Sequence, residues 1–259
     1  MDLKKKLYFF VLLFLVFCAA CSVNKDVHGQ NVKKYDLYLL VGQSNMAGRG
    51  LLEVTDTTVH KRVFSLNAAD QFVPAKEPLH FDKKGRGTGP GLAFGKVMAT
   101  ANAQSFIGLI PAAVGGTKIS YWEPGNPKGL FEEAIRKAKI AMQSGQLKGI
   151  LWQQGESDSN AEDAPLYKER LLKLLQSFRN ELGAKDVPIV IGGLGSFLKS
   201  PQYKNINVAL VAVANEIGNA KFSEASNLGH IGDSLHFNSK AQRENGQRMA
   251  IAMLQLQQK

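Results

Sequence analysis

Residues 36–48 read Asp36-Leu37-Tyr38-Leu39-Leu40-Val41-Gly42-Gln43-Ser44-Asn45-Met46-Ala47-Gly48. An apolar, β-prone run stops at a glycine, and polar and small residues lead to a second glycine. The pattern predicts a buried strand whose end delivers Gln43, Ser44 and Asn45 to the carboxyl edge of a sheet, where open α/β folds hold their ligands. Ser44 carries the hydroxyl in that turn able to act as a nucleophile, provided that the rest of the chain supplies a base.

Outward from this stretch, strand and helix signals alternate. Residues 49–88 read as a long loop with one short strand, Val63-Phe64-Ser65-Leu66, of the kind that shapes a site above a sheet. Gly89-Pro90-Gly91 opens a helix over 92–101. A strand over 105–111 runs into Ala112-Ala113-Val114-Gly115-Gly116-Thr117, and Tyr121 and Trp122 fall in the loop beyond. A helix over 131–142, a strand over 148–153, a helical period over 166–182 and a strand over 187–191 follow. A helix over 208–217, a short strand over 220–225 and a closing helix over 238–256, capped by Asn238 or Ser239, complete the chain. This order predicts a three-layer α/β/α sandwich around a central parallel sheet, wound by right-handed crossovers, as one domain over 35–259. Glycine-bearing turns near residues 44, 115, 154 and 193 should converge at one edge.

The first residues have a separate character. Lys4, Lys5 and Lys6 precede an unbroken apolar run from Leu7 to Phe17, with Ala19 and Ala20 behind it, the layout of an export signal over 1–21. Both of the chain's cysteines lie there, at Cys18 and Cys21. Ala19-Ala20-Cys21 resembles a lipoprotein signal, with Cys21 as the lipidated residue and 22–34 as a tether; plain secretion is the alternative. Either way an exported protein of the periplasm or cell surface is expected, with membrane attachment only through Cys21. Beyond Cys21 there is no cysteine for a disulfide, a thiolate metal site or a cysteine nucleophile. The formal net charge is +10, but the basic residues are scattered singly or in short pairs, without the basic run interleaved with aromatics that would indicate nucleic acid.

Serine chemistry needs an imidazole, a carboxylate to orient it, and donors for a developing oxyanion. His28, His60 and His80 have no such context and no metal-ligand spacing. His236 stands three residues after Asp233 in Gly232-Asp233-Ser234-Leu235-His236, just before the last helix, so that both side chains can face one cavity. Gly232-Asp233-Ser234-Leu235 spells the tetrapeptide that names the GDSL hydrolases, yet it lies at the wrong end of the chain for their nucleophile block, and Ser234 is read as incidental. No P-loop, dinucleotide glycine pattern or Gly-x-Ser-x-Gly elbow is present, and no metal or cofactor is expected.

Four blocks in order, Gly42-Gln43-Ser44-Asn45-Met46-Ala47-Gly48, Ala113-Val114-Gly115-Gly116-Thr117, Trp152-Gln153-Gln154-Gly155-Glu156-Ser157-Asp158 and Asp233-x-x-His236-Phe237, resemble the sialate O-acetylesterase and carbohydrate esterase family 6 branch of the SGNH hydrolases. Gly89 to Gly95 and Gln242 to Gly246 resemble its acetylxylan-esterase-like members. The resemblance spans about residues 36 to 255 and implies a serine esterase that removes O-acetyl groups from carbohydrate, acetylxylan or a related glycan. It implies Ser44 as nucleophile, His236 as base and Asp233 as orienting acid, with an oxyanion hole from the N–H groups of Ser44 and of Gly116 (or Gly115) and the side chain of Gln154. Asn45 and Glu156 are supporting residues; Glu156 is either a second acid partner or, the favoured reading, a brace. Tyr121 and Trp122 are expected to line the substrate cleft, and Trp152 to sit in the core. Sialate O-acetyl esters, other glycan acyl esters and acyl transfer are the enzymatic alternatives, and a carbohydrate-binding lipoprotein is the non-enzymatic one.

Overall fold

The structure, a computed structural model, describes residues 34–258. The expected export signal, Cys21, His28 and all of the expected tether but Lys34 lie outside the described residues.

In chain order the elements are β1 (Tyr35–Gly42), α1 (Ser44–Ala47), α2 (Val54–Thr57), β2 (Val63–Leu66), β3 (Phe72–Pro74), α3 (Gly91–Ala101), β4 (Phe106–Pro111), α4 (Leu130–Met142), β5 (Gly145–Gln153), α5 (Tyr167–Glu181), β6 (Ile189–Gly192), α6 (Tyr203–Glu216), β7 (Ala220–Ser223) and α7 (Ser239–Gln257). They build one seven-stranded sheet in the order β3-β2-β4-β1-β5-β6-β7. Every pairing is parallel except the β2–β3 hairpin at one edge. β1 is central, paired to β4 on one side and to β5 on the other.

Alternation along β1 explains the layers, because successive strand side chains leave opposite faces. Leu37, Leu39 and Val41 enter a core with Phe131 and Ala138 of α4, Leu171 and Phe178 of α5 and Leu210 of α6. Tyr38 and Leu40 enter the other core, with Phe94 and Met98 of α3 and Met249 and Met253 of α7. The α/β/α sandwich is therefore as the sequence indicates. The sequence reading missed β3, a three-residue edge strand with mostly exposed side chains; Asn67, whose Oδ1 accepts the N–H groups of Ala69 and Gln71, shapes the turn that pairs it with β2. Asn238, rather than Ser239, caps α7, accepting the Ala241 N–H at 2.9 Å.

At the carboxyl end of β1 the chain must turn tightly beside β5. Gly42 has φ +130°, and a Cβ there would stand 2.1 Å from the Gln153 carbonyl oxygen. Only glycine fits both the backbone angle and the gap. Gly42→Ala should therefore cost about 3 kcal/mol or more in chemical denaturation, from overpacking and backbone strain together. Gly85→Ala isolates the backbone part, since Gly85 has φ +77° with nothing within 4 Å of an added Cβ. Equal losses in the two variants would refute the close approach at Gly42.

Candidate active site

The turn after Gly42 opens into α1. Gln43 O accepts the N–H groups of Met46 and Ala47, and Ser44 O that of Gly48, so the serine is fixed at the first helical position with its own N–H outside the helical ladder. Ser44 is 4% exposed. Its Oγ lies 3.1 Å from His236 Nε2, and His236 Nδ1 lies 2.6 Å from Asp233 Oδ2. With the Nδ1 proton donated to the carboxylate, Nε2 is the ring's acceptor and the Ser44 hydroxyl donates to it. Asp233 Oδ1 accepts the N–H groups of Leu235 and His236, each at 2.9 Å. Burial pushes the Asp233 carboxyl up, but these N–H groups and the His236 ring outweigh it and hold it below the usual range. Ser44, not Ser234, faces the imidazole.

Asn45 joins the two ends of the chain. Its Nδ2 donates to Glu156 Oε1 at 2.5 Å and to Leu235 O at 3.1 Å, and its Oδ1 accepts the Phe237 N–H at 3.0 Å. Glu156 thus reaches Asn45 rather than the His236 ring. Its Oε2 is buried without a hydrogen-bond partner, and burial pushes the carboxyl up, opposed by the Asn45 bond. The geometry matches a brace.

The second glycine turn separates its two candidate donors. The Gly115 N–H donates to Asp82 Oδ2 at 2.9 Å, and Arg49 Nη2 approaches the same oxygen at 2.6 Å. Burial pushes the Asp82 carboxyl up, and the Arg49 guanidinium and the Gly115 N–H together hold it below the usual range. Gly116, exposed and at φ +72°, donates its N–H to nothing among the described residues. Gly116 is therefore the open donor of this turn. The Arg49–Asp82 pair had no signal in the sequence, because Asp82 stands alone in the long loop, 33 residues from Arg49.

Three expectations need correction. Gln154 is 0% exposed, and its Nε2 faces three acceptors: Asp158 Oδ2 at 2.5 Å, Thr117 O at 2.9 Å and Gln43 Oε1 at 3.1 Å. Its Oε1 accepts the Tyr167 hydroxyl. Two amide protons shared among three buried acceptors leave none for an oxyanion, so Gln154 braces the strand-end loops. Trp122 is not a cleft residue: it is 0% exposed, donates its indole N–H to Thr117 Oγ1 and packs edge-on against Trp152 in the core. Tyr121 and Trp122 also lie on a short 3₁₀ turn rather than a loop; Tyr121 is half-buried with Lys128 Nζ 5.8 Å over its ring. Among the described residues, no group of three or more His, Cys, Asp or Glu side chains could hold a metal ion.

Comparison with known proteins adds a family to this geometry. The profile of the family described as "Carbohydrate esterase, sialic acid-specific acetylesterase" matches residues 34–255. A probable carbohydrate esterase of Arabidopsis thaliana is 29% identical over 242 residues, covering 84% of this chain and 90% of that one. An Arabidopsis thaliana crystal structure superposes with a TM-score of 0.78 at 28% identity, covering 85% of this chain and 97% of that one. The crystal structure of NanS shares the fold at 17% identity and a TM-score of 0.70, covering 87% of this chain and 98% of that one. A carbohydrate acetylesterase from Xanthomonas citri does so at 20% identity and a TM-score of 0.67, covering 85% of this chain and 56% of that one.

Gln154→Ala would leave the buried Thr117 carbonyl without its donor and would take from the Asp158 carboxylate its side-chain donor, leaving it only the Ile119 N–H. Thermal or urea denaturation should show a stability loss of about 2–4 kcal/mol. A variant as stable as wild type but with greatly reduced turnover would instead return Gln154 to direct contact with the reacting oxygen.

Proposed function

The chain belongs to the carbohydrate esterase family of sialic acid-specific acetylesterases, which makes it a carbohydrate acetylesterase, and we propose that Ser44, His236 and Asp233 are the triad that cleaves its ester. The observation that carries this reading is the unbroken hydrogen-bonded line from Ser44 Oγ through His236 to Asp233. Ser44 Oγ attacks the acetyl carbonyl carbon while His236 Nε2 takes the hydroxyl proton. The tetrahedral oxyanion is held by the N–H groups of Ser44 and Gly116, both aimed outside the fold's own hydrogen bonding. Asp233 stabilises the imidazolium. As the intermediate collapses, the bond to the sugar oxygen breaks and His236 returns the proton to that oxygen, leaving acetyl-Ser44. A water, deprotonated by His236, then releases acetate and restores the hydroxyl. Glu156 acts only through Asn45.

The substrate is an O-acetylated saccharide, with acetylxylan or a related acetylated glycan as one reading. A second reading, an acidic saccharide such as an O-acetylated sialoside, draws on one feature of the rim. Lys83 Nζ stands 3.3 Å from the position a Cβ would take on Gly116, so a cation borders the open donor. We propose further that the chain is exported with lipid attachment at Cys21; incorporation of labelled palmitate into wild type but not Cys21→Ser tests it, and equal labelling would remove the anchor.

Wild type should hydrolyse 4-nitrophenyl acetate and Ser44→Ala should not; equal rates would remove Ser44 as the nucleophile. Asp233→Asn should lower kcat by roughly 10⁴-fold, because the imidazole loses its tautomer and its counter-charge. Glu156→Gln should lose far less, and the reverse ranking would make Glu156 the triad acid. Acetate release from acetylated xylan and acetylated sialosides, compared between wild type and Lys83→Met, assigns the sugar: a Lys83 effect confined to the acidic substrate supports the second reading, and none on either removes it.

A further inference from the structure

We infer that His230 is a positioning residue for the acetylesterase reaction, the acceptor around which the loop carrying Asp233 and His236 is folded. The inference rests on the reading of Ser44, His236 and Asp233 as the triad.

The loop reverses the chain between Gly229 and Asn238. An antiparallel bridge pairs His230 with Phe237, with Ile231 N donating to His236 O at 3.0 Å and Asn238 N to Gly229 O at 3.1 Å. Inside the reversal, backbone N–H groups turn inward where no carbonyl meets them. His230 Nδ1 accepts two of them, from Gly232 at 3.0 Å and from Ser234 at 3.1 Å. These two residues flank Asp233, so the backbone of the carboxylate that orients His236 is held on both sides by one ring nitrogen. The local conformation needs holding: Ser234 sits at φ +55°, a left-handed angle unfavourable for a side-chain-bearing residue.

The ring is itself anchored. It packs on Phe197 at 4.9 Å between centroids, and Phe197 packs edge-on against Phe237 at 5.2 Å. Phe237 is fully buried, and its N–H is held by Asn45, the neighbour of the nucleophile. Contacts therefore run without a break from His230 to the turn that carries Ser44. Accepting two N–H groups at Nδ1 requires that nitrogen to be unprotonated, with the neutral ring's proton on Nε2.

Three substitutions separate this role from simple packing. In His230→Asn the amide Oδ1 takes the place of Nδ1 but the ring and its contact with Phe197 are lost. In His230→Gln the acceptor lies one bond further out, and in His230→Ala it is gone. We expect Asn to keep kcat on acetate esters near wild type, and Ala and Gln to lower kcat by about 10²-fold through misplacement of the acid–base pair, with KM little changed. A wild-type kcat in His230→Ala, or an Asn variant as impaired as Ala, would overturn the inference. Should Ala and Gln not fold, ring-nitrogen NMR of the wild type decides: an unprotonated Nδ1 with the proton on Nε2 supports the role, and a proton on Nδ1 refutes it. That spectrum reads the loop independently of activity, whereas a wild type inert toward 4-nitrophenyl acetate would count against the esterase reading.

Discussion

The side-chain amide of Asn45 is the contact on which the rest of the site depends. Ser44 and His236 lie 192 residues apart, one at the end of the first strand and the other just before the last helix. The fold brings both to one sheet edge, but an edge fixes a position only to within the freedom of its loops. Asn45 removes much of that freedom, because its carbonyl oxygen holds the Phe237 N–H while its nitrogen holds the Leu235 carbonyl. The two backbone groups flank His236. The third bond, to Glu156, ties the same amide to the loop after β5. One buried amide therefore sets the Ser44 turn, the His236 loop and the neighbouring strand end relative to one another. A displacement of about 1 Å at a reacting centre can cost 10²-fold in rate, which gives such a clamp its value.

Two of the site's loops lean on side-chain acceptors as well as on backbone pairing. Asp233 accepts two N–H groups of its own loop while offering its other oxygen to His236. Asp82 receives the Gly115 N–H and the Arg49 guanidinium. Carboxylates that accept N–H bonds and a cation stay ionised even where burial opposes it, and both are held below the ordinary range here. The carboxylates of Glu156 and Asp158 behave oppositely, because burial dominates and pushes each up. The carboxylate hydrogen-bonded to His236 is thus kept charged, while Glu156 and Asp158 stand where charge is least welcome.

What could be read from the sequence follows from how local each feature is. The alternation of apolar runs and helical periods suffices for the layered fold, since β1 alone distributes Leu37, Leu39 and Val41 to one core and Tyr38 and Leu40 to the other. That Ser44, Asp233 and His236 would meet was legible from their blocks, and their side chains do meet. The choice between Gly115 and Gly116 was not, because it depends on Asp82 reaching across from a loop without pattern. Trp122 looked exposed beside Tyr121, prolines and glycines, yet its indole N–H finds Thr117 and its ring finds Trp152. Gln154 sits in the block where a donor is expected, and only its buried partners reveal that its protons are spent.

The contrast between Gln154 and Gly116 expresses a general constraint on oxyanion donors. A donor that stabilises a transient charge must be unpaired with protein in the resting state, yet a buried unpaired N–H is destabilising by roughly 1–3 kcal/mol. Both demands are met only where water can satisfy the group until substrate displaces it. Gly116 is exposed and its N–H has no partner among the described residues, while Asp82 holds the N–H of its neighbour Gly115. Gln154, with no exposure at all, can exist there only if its protons are paired internally, and they are. Between these two groups, burial separates the internally paired amide from the open N–H.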